Sequence, residues 1–137
     1  MPRLKHAELL LQKASQGEYV LDLMLRQADA PLEPFGLHAQ QATEKMLKAA
    51  IKASGPDYPL THDIARLMRV LSRAGTGFPD RFKPLCALVP FSGDYRYDAL
   101  PDEGEAELDL PAIRELIRDL RAWVEAYVAD ADLARGA

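Results

Sequence analysis

The sequence predicts an all-α protein, an antiparallel up-down bundle of four long helices and one short helix. Three observations favour this fold. Apolar residues recur at spacings of three and four through most of the chain. The breaks in that spacing coincide with proline and glycine, which punctuate helices. No segment shows the alternation expected of a half-buried strand. The length of 137 residues fits a single domain, residues 1–137.

The first predicted helix covers residues 3–28. Its core-facing line consists of Leu4, Ala7, Leu11, Ala14, Leu21, Leu25 and Ala28. Gly17 interrupts the line at a helix cost of about 1 kcal/mol, and its missing side chain would allow another helix to approach closely. Residues 29–36 are a predicted loop, because Pro31 and Pro34 prevent a continuous helix.

The second predicted helix covers residues 37–54 and is ended by Gly55 and Pro56. One face is small and apolar and should pack closely: Ala39, Ala42, Met46, Ala49, Ala50 and Ala53. A separate polar stripe, within a sector of about 80° at about 100° per residue, consists of His38, Gln41, Lys45, Lys48 and Lys52. The two faces do not overlap, so the stripe is free to serve another purpose.

The third predicted helix covers residues 61–74. Thr61 is its expected N-cap, and Asp63 in the first turn complements the helix dipole. Ile64, Leu67, Met68 and Leu71 should face inward. Arg66, Arg69 and Arg73 should face outward.

Two further helices complete the predicted bundle. A shorter one, residues 80–88, is bent or interrupted by Pro84. The last runs to about residue 131, with Asp109 as its cap and Pro111 in its first turn. Its predicted core face consists of Ile113, Leu116, Ile117, Leu120, Trp123, Val124 and Tyr127.

Charge and composition exclude several classes of protein. The net charge of −4 argues against strong nonspecific nucleic-acid binding. It is uneven, because residues 38–97 carry +4 and residues 98–137 carry −7, so phosphate would be drawn to the middle. No apolar run approaches the roughly 18 residues of a membrane span. The N-terminus is unlike a signal peptide, and the lone Cys86 cannot form an internal disulfide, so a cytoplasmic location is predicted.

Motifs for cofactors and metals are absent from the sequence. There is no P-loop, GxGxxG, HExxH or CxxC, and no cofactor is predicted. The histidines at positions 6, 38 and 62 lack metal-ligand spacing, which argues against a zinc site. Cys86 lies in an apolar run and is interpreted as a core residue rather than a nucleophile.

Three polar segments allow both a structural and a functional interpretation. The stripe of the second helix is either a solvated face, with Glu44 and Lys48 as an i,i+4 pair, or a binding surface. The segment "THD", residues 61–63, either caps a helix or presents His62 to a ligand. In "DYRYD", residues 94–98, Arg96 either pairs with a neighbouring aspartate or, with Tyr95 and Tyr97 beside it, stacks a base and binds phosphate.

These segments together resemble the HEPN domain family, the "higher eukaryotes and prokaryotes nucleotide-binding" domains. The family pattern is H-x-Q-Q-A-x-E-K-x-x-K-A, then T-H-D/N and a hydrophobic residue, then an A-R-Y-P-like element. The matching positions are His38, Gln40, Gln41, Ala42, Glu44, Lys45, Lys48, Ala49, Thr61, His62 and Asp63. Arg96 and Tyr97 match the third element, with Tyr95 in place of alanine and Asp98 in place of proline.

The resemblance implies a four- or five-helix bundle that is usually dimeric. Such proteins are often encoded beside a minimal nucleotidyltransferase and act as toxin–antitoxin pairs, and many are metal-independent RNases. Those RNases carry R-x(4–6)-H, which this chain lacks, since Arg3 and His6 are separated by only two residues. The resemblance therefore favours a binding groove over a catalytic one. Its expected residues are His38, Gln41, Lys45, Lys48, His62, Asp63, Tyr95, Arg96 and Tyr97.

Three hypotheses follow from the sequence. The first is a homodimeric binding module that holds a nucleotide or RNA, or pairs with a nucleotidyltransferase. The second is a divergent metal-independent RNase, with His38 or His62 as general base and Arg96 holding the phosphate. The third is a structural interaction bundle with every polar stripe solvated.

Overall fold

The computed structural model describes residues 2–92 and 108–136, and these residues form helices joined by loops, with no strand among them. The elements in chain order are α1 (Arg3–Met24), α2 (Leu32–Ser54), α3 (Ile64–Arg73), a 3₁₀ helix (Asp80–Phe91) and α4 (Leu110–Gly136). The predicted all-α class is confirmed. The described residues also form the five predicted helices, although α3, with 10 residues, is shorter than the predicted helix of residues 61–74.

Contacts between the ends of the long helices show the directions in which they run. Arg3, at the start of α1, donates to the carbonyl of Gly55 just after α2 at 3.1 Å, so these two helices are antiparallel. The start of α4 meets the second half of α1 through Arg114 and Asp22. Further along α4, Arg121 reaches back to the carbonyl of Leu11. Both α2 and α4 therefore run opposite to α1, as the up-down order requires.

The core lies where the predicted apolar faces meet. All six residues of the small face of α2 are buried, and so are the four inward residues predicted for α3. On α1 the buried apolar residues are Ala7, Leu11, Ala14 and Leu21. The sequence periodicity thus identified the packing faces of α2 and α3 correctly. On the first helix it was wrong for Ala28, which is exposed and lies beyond the end of α1, and Leu4 and Leu25 are only half-buried.

The connection between α1 and α2 is shorter than predicted. α1 ends at Met24 rather than near residue 28, and α2 begins at Leu32 rather than Leu37. Pro34 was expected to exclude a helix, but it lies in the first turn, where a missing N–H breaks no intrahelical bond. A Cβ on Gly36 would lie 2.4 Å from the ring of Phe91, so only glycine fits beneath that ring.

The cap of α3 differs from the prediction. Asp63, not Thr61, is the N-cap residue, and its carboxylate accepts from the backbone N–H groups of Ala65 and Arg66 at 2.9 and 3.3 Å. Thr61 stabilises the segment before the helix, since its hydroxyl accepts a hydrogen bond from the Asp63 N–H at 3.1 Å. The carboxylate that sequence analysis placed in the binding groove is therefore engaged in capping.

The segment predicted as a short helix of residues 80–88 is a 12-residue 3₁₀ helix that contains both Pro84 and Pro90. In a 3₁₀ helix, residues three apart lie on the same side. Its buried residues follow that spacing: Phe82, Leu85, Leu88 and Phe91. A spacing of three keeps all four apolar side chains on one side of a 3₁₀ helix, whereas in an α-helix of 3.6 residues per turn they would drift around the axis.

α4 begins as predicted, with the Asp109 carboxylate accepting from the Ala112 N–H at 3.1 Å. It continues to Gly136, beyond the predicted end near residue 131. Its buried residues include Ile113, Ile117, Leu120 and Val124, all from the predicted core face. Within the described parts of the chain, no helix combines the length and apolar content that crossing a membrane requires.

Candidate functional site

A groove of about 430 Å³ runs between α1 and α2, and we call it the α1–α2 groove. Three residues of the predicted stripe line it, namely His38, Gln41 and Lys45. α1 contributes Lys13, Gln16, Gly17 and Val20, and Ala42 forms part of the floor. The structure therefore brings three of the nine expected site residues together with two polar residues, Lys13 and Gln16, that the sequence motifs did not include.

Small residues create this groove. A Cβ placed on Gly17 would lie 3.4 Å from the Cβ of Ala42 and 3.5 Å from the carbonyl oxygen of His38. The two helix backbones are thus close at this level, as the glycine predicted. Because longer side chains flank the contact on its outer side, a trough forms above it.

The α1–α2 groove is electrostatically unbalanced. Its described lining holds the ammonium groups of Lys13 and Lys45 and no carboxylate. Within residues 2–92 and 108–136, no hydrogen bond or ion pair engages the side chain of Lys13, His38, Gln41 or Lys45. Two uncompensated cations beside an imidazole and an amide are well suited to an anion with several acceptor oxygens.

The other side of α2 holds a closed polar group, which we call the Glu44 cluster: Gln40, Glu44, Lys48 and His62. The Glu44 carboxylate accepts from Lys48 Nζ at 2.9 Å and lies 2.8 Å from His62 Nδ1. Gln40 Nε2 bridges to Glu44 at 3.1 Å and to the His62 carbonyl at 3.0 Å. All four residues belong to the family-like motif, and here they satisfy one another.

The environment of Glu44 favours its charged form. Burial of this carboxyl raises its pKa, but the hydrogen bonds from Lys48, His62 and Gln40 and the Lys48 charge outweigh burial. The net result is a pKa below the ordinary value. Glu44 is thus an anion that compensates Lys48, whereas the imidazole of His62 remains 58% exposed.

The loop between α2 and α3 covers the C-terminal end of the stripe. Asp57 accepts from Lys52 Nζ at 2.5 Å. The Tyr58 hydroxyl lies 2.9 Å from His6 Nε2, and its ring lies beneath the ammonium groups of Lys48 and Lys52 at 5.2 and 5.8 Å. Both lysines are therefore compensated by protein groups and face away from the α1–α2 groove.

The predicted site is therefore divided. His38, Gln41 and Lys45 line the groove, Lys48 and His62 belong to the Glu44 cluster, and Asp63 caps α3. The predictions for Tyr95, Arg96 and Tyr97 fall outside the described residues.

A third polar group joins α1 to α4, and we call it the α1–α4 network: Glu18, Asp22, Arg114 and Arg121. Arg114 donates to both carboxylate oxygens of Asp22, at 2.6 and 3.1 Å, and to Glu18 at 3.2 Å. Those bonds hold the pKa of Asp22 below its ordinary value. Glu18 and Arg114 at the centre of this network are each only 6% exposed, and their charges are engaged with each other across the two helices.

Metal ligands do not cluster in the described parts of the chain, where no three His, Cys, Asp or Glu side chains come together in a way that could hold an ion. The chemistry available at the α1–α2 groove is therefore that of cations and hydrogen-bonding side chains. Such a site can hold and orient a phosphate group.

Comparison with known protein families identifies a domain family for this chain. The family model of the HEPN domain matches residues 7–127, which covers most of the chain and all of the groove lining. No curated protein and no solved structure matches the chain significantly.

Proposed function

The chain belongs to the HEPN domain family, and on that premise we propose that it is a binding module that holds a phosphate group of a nucleotide or of RNA in the α1–α2 groove. One observation carries the proposal. Lys13 and Lys45 lie on facing helices around one groove and lack any compensating carboxylate in its described lining. Family membership points to a helical module of the nucleotide-binding type, and the groove offers two ammonium groups from facing helices around one cavity.

The groove residues have complementary chemical roles. The two ammonium groups supply charge, and His38 and Gln41 supply directional hydrogen bonds. A volume of about 430 Å³ falls within the usual range of small-ligand sites. Lys48 is not part of this proposal, because Glu44 already compensates its charge.

The proposal includes a homodimer. Leu9, Tyr19 and Leu23 are exposed apolar residues within a sector of about 80° on α1, at about 100° per residue. A second copy of this chain would cover that face. Pairing with a nucleotidyltransferase in a toxin–antitoxin system rests on the family alone, and co-purification would test it.

The experiment measures ligand affinity by isothermal titration with ATP, AMP and a short single-stranded RNA. We expect Lys13→Gln and Lys45→Gln each to weaken binding by about tenfold, since each removes a charge-assisted contact. The dependence of log affinity on log salt should also fall by about 1 per lysine. Lys5→Gln is the matched control, an exposed lysine of α1 outside the groove. Failure of the wild type to bind any of these ligands, or unchanged affinity in both groove variants, would contradict the proposal.

A second candidate function is metal-independent RNA cleavage, and the Glu44–His62 pair favours it. A carboxylate that holds Nδ1 of an exposed imidazole leaves Nε2 free to accept a proton, as in general-base catalysis. In this mechanism Nε2 would take the proton of a 2′-hydroxyl as that oxygen attacks the adjacent phosphorus. The P–O5′ bond would break, leaving a 2′,3′-cyclic phosphate, and the departing 5′-oxygen would take a proton from water. The missing R-x(4–6)-H signature counts against it.

The test of this candidate is cleavage of varied RNAs in the presence of EDTA. Loss of activity in His62→Ala, with activity retained in the half-buried control His6→Ala, would support catalysis. Absence of cleavage by the wild type across all substrates would exclude it and leave the binding module.

A further inference from the structure

A second pocket, separate from the α1–α2 groove, lies between α3 and the 3₁₀ helix, and we call it the α3–3₁₀ pocket. Its volume is about 350 Å³. The residues that line it are Ala65, Met68, Arg69, Ser72, Phe78, Pro79, Asp80, Lys83 and Cys86. It shares no residue with the groove or the Glu44 cluster, so its role is independent of the proposed function.

The turn after α3 shapes one wall of this pocket. Gly75 and Gly77 have φ values of +72° and +74°, a conformation that side chains disfavour. The Thr76 hydroxyl fastens the turn to the Leu71 carbonyl at 2.9 Å. The turn places Phe78 in the lining of the pocket. The Phe78 ring packs edge-to-face against Trp123, with a distance of 5.2 Å between the ring centroids.

The floor of the pocket is apolar and includes the polarisable sulfur atoms of Cys86 and Met68. Cys86 Sγ lies 3.7 Å from Met68 Sδ, and Ala65 and Pro79 extend the apolar lining. At about 30 Å³ for each water-sized group, the volume accommodates a molecule of about ten non-hydrogen atoms.

The rim carries one uncompensated cation. Asp80, the only carboxylate in the described lining, pairs with Lys83 at 3.4 Å. In the described ranges, Arg69 forms no hydrogen bond or ion pair, although it lies at the edge of the apolar floor. A guanidinium in this position is suited to hold a carboxylate through two parallel hydrogen bonds.

We propose that the α3–3₁₀ pocket binds a small monocarboxylate with an apolar body. Arg69 holds the carboxylate, and the body lies on Met68 and Phe78. The excess positive charge of the rim favours an anionic ligand. The apolar floor favours a ligand whose remaining surface is apolar, because burial of apolar surface is favourable. Because the ligand would cover Cys86, occupancy of the pocket is measurable at that thiol.

The experiment follows alkylation of Cys86, the single cysteine of the chain, by the uncharged reagent iodoacetamide. Burial and the nearby charge of Asp63 raise the pKa of this thiol, so the reaction is run at a pH of about 9 to supply thiolate. The probes are 3-phenylpropionate and its amide, which differ mainly in charge. We expect the carboxylate to slow alkylation about tenfold when its concentration is about ten times Kd, and the amide to need a concentration about ten times higher.

Two arginine variants of α3 test the assignment. Arg69→Gln should lose the protection, whereas Arg73→Gln, which alters an exposed arginine of the same helix outside the pocket, should keep it. Emission of Trp123, the single tryptophan, verifies that each variant is folded. The proposal is overturned if the carboxylate gives no protection, if carboxylate and amide protect equally, or if Arg69→Gln is protected like the wild type.

Discussion

Lys45 and Lys48 lie one turn apart in the same polar stripe, yet only the charge of Lys48 is compensated by a neighbouring carboxylate. Lys48 is buried to 9% exposure and compensated by Glu44, whereas Lys45 lines the open groove without a described partner. The α1–α4 network extends the closed kind of arrangement, with buried arginine and glutamate facing each other. This contrast shows that paired charges join the helices, whereas the two lysines of the α1–α2 groove have no partner among the described residues.

The largest expected effect is on the closed side, in the α1–α4 network. Arg114→Ala would leave Glu18 buried with Arg121 as its remaining partner, so we expect a loss of about 3 kcal/mol of unfolding free energy, the lower end of the range for breaking a buried ion pair. Urea denaturation measures this loss. The control is Arg118→Ala, a half-exposed arginine of the same helix, which should cost less than about 1 kcal/mol. Similar losses in the two variants would show that burial of the network is unimportant.

The next effect concerns Glu44 and depends on pH. Glu44→Gln should cost about 1–3 kcal/mol at neutral pH, because hydrogen bonds to charged groups are lost. Because the folded pKa of Glu44 lies below 4.5, its contribution is fully present above pH 4.5 and is lost as pH falls through the folded value. Denaturation curves between pH 7 and pH 3 should show the two proteins converging in acid. A difference that stays constant over this range would refute the assigned charge of Glu44.

A direct comparison of the two lysines comes third. Lys48→Gln should lower the unfolding free energy by about 1 kcal/mol, since it replaces an ionic hydrogen bond by a neutral one. Lys45→Gln should change it by less than about 0.5 kcal/mol, as is usual for a side chain without a partner. In ligand titrations the order should be reversed, with affinity reduced by Lys45→Gln alone. Equal behaviour of the two variants in both measurements would remove the distinction between groove and cluster.

The smallest expected effect tests the floor of the α1–α2 groove. In Gly17→Ala the new methyl group meets Ala42 at 3.4 Å, an ordinary contact, and the helix gains about 0.5–1 kcal/mol from the loss of glycine flexibility. Thermal unfolding should therefore show a slightly higher Tm. A lower Tm would mean that α1 and α2 are too close at this level to admit a methyl group.

Much of the fold was predictable because periodicity reflects packing directly. The small face of α2 and the inward face of α3 are examples. The start of α2 was not predictable in this way, because proline is disfavoured inside a helix but tolerated in its first turn, where Pro34 lies. The period of three from Phe82 to Phe91 was present in the sequence and could have identified the 3₁₀ helix.

The candidate site was predictable only in part, since the stripe indicated which residues share a face of α2 but not what lies opposite them. Lys48 is closed off by His62 and Tyr58, which come from a loop whose path no local pattern specifies. Lys13 belongs to no motif and enters the groove only through helix packing. The pairing of Glu18 with Arg114 spans 96 positions of the sequence, so it likewise depends on tertiary packing and not on a local pattern.

The most direct test of the open groove is native mass spectrometry of the protein purified at low salt from its own cells. The wild type is compared with the Lys13→Gln/Lys45→Gln double variant. Our account predicts that a phosphate-bearing ligand accompanies the wild type and is absent from the double variant, while both proteins keep the same oligomeric mass. If the same ligand accompanies both proteins, or if neither carries one, the claim that the α1–α2 groove is a phosphate site is contradicted.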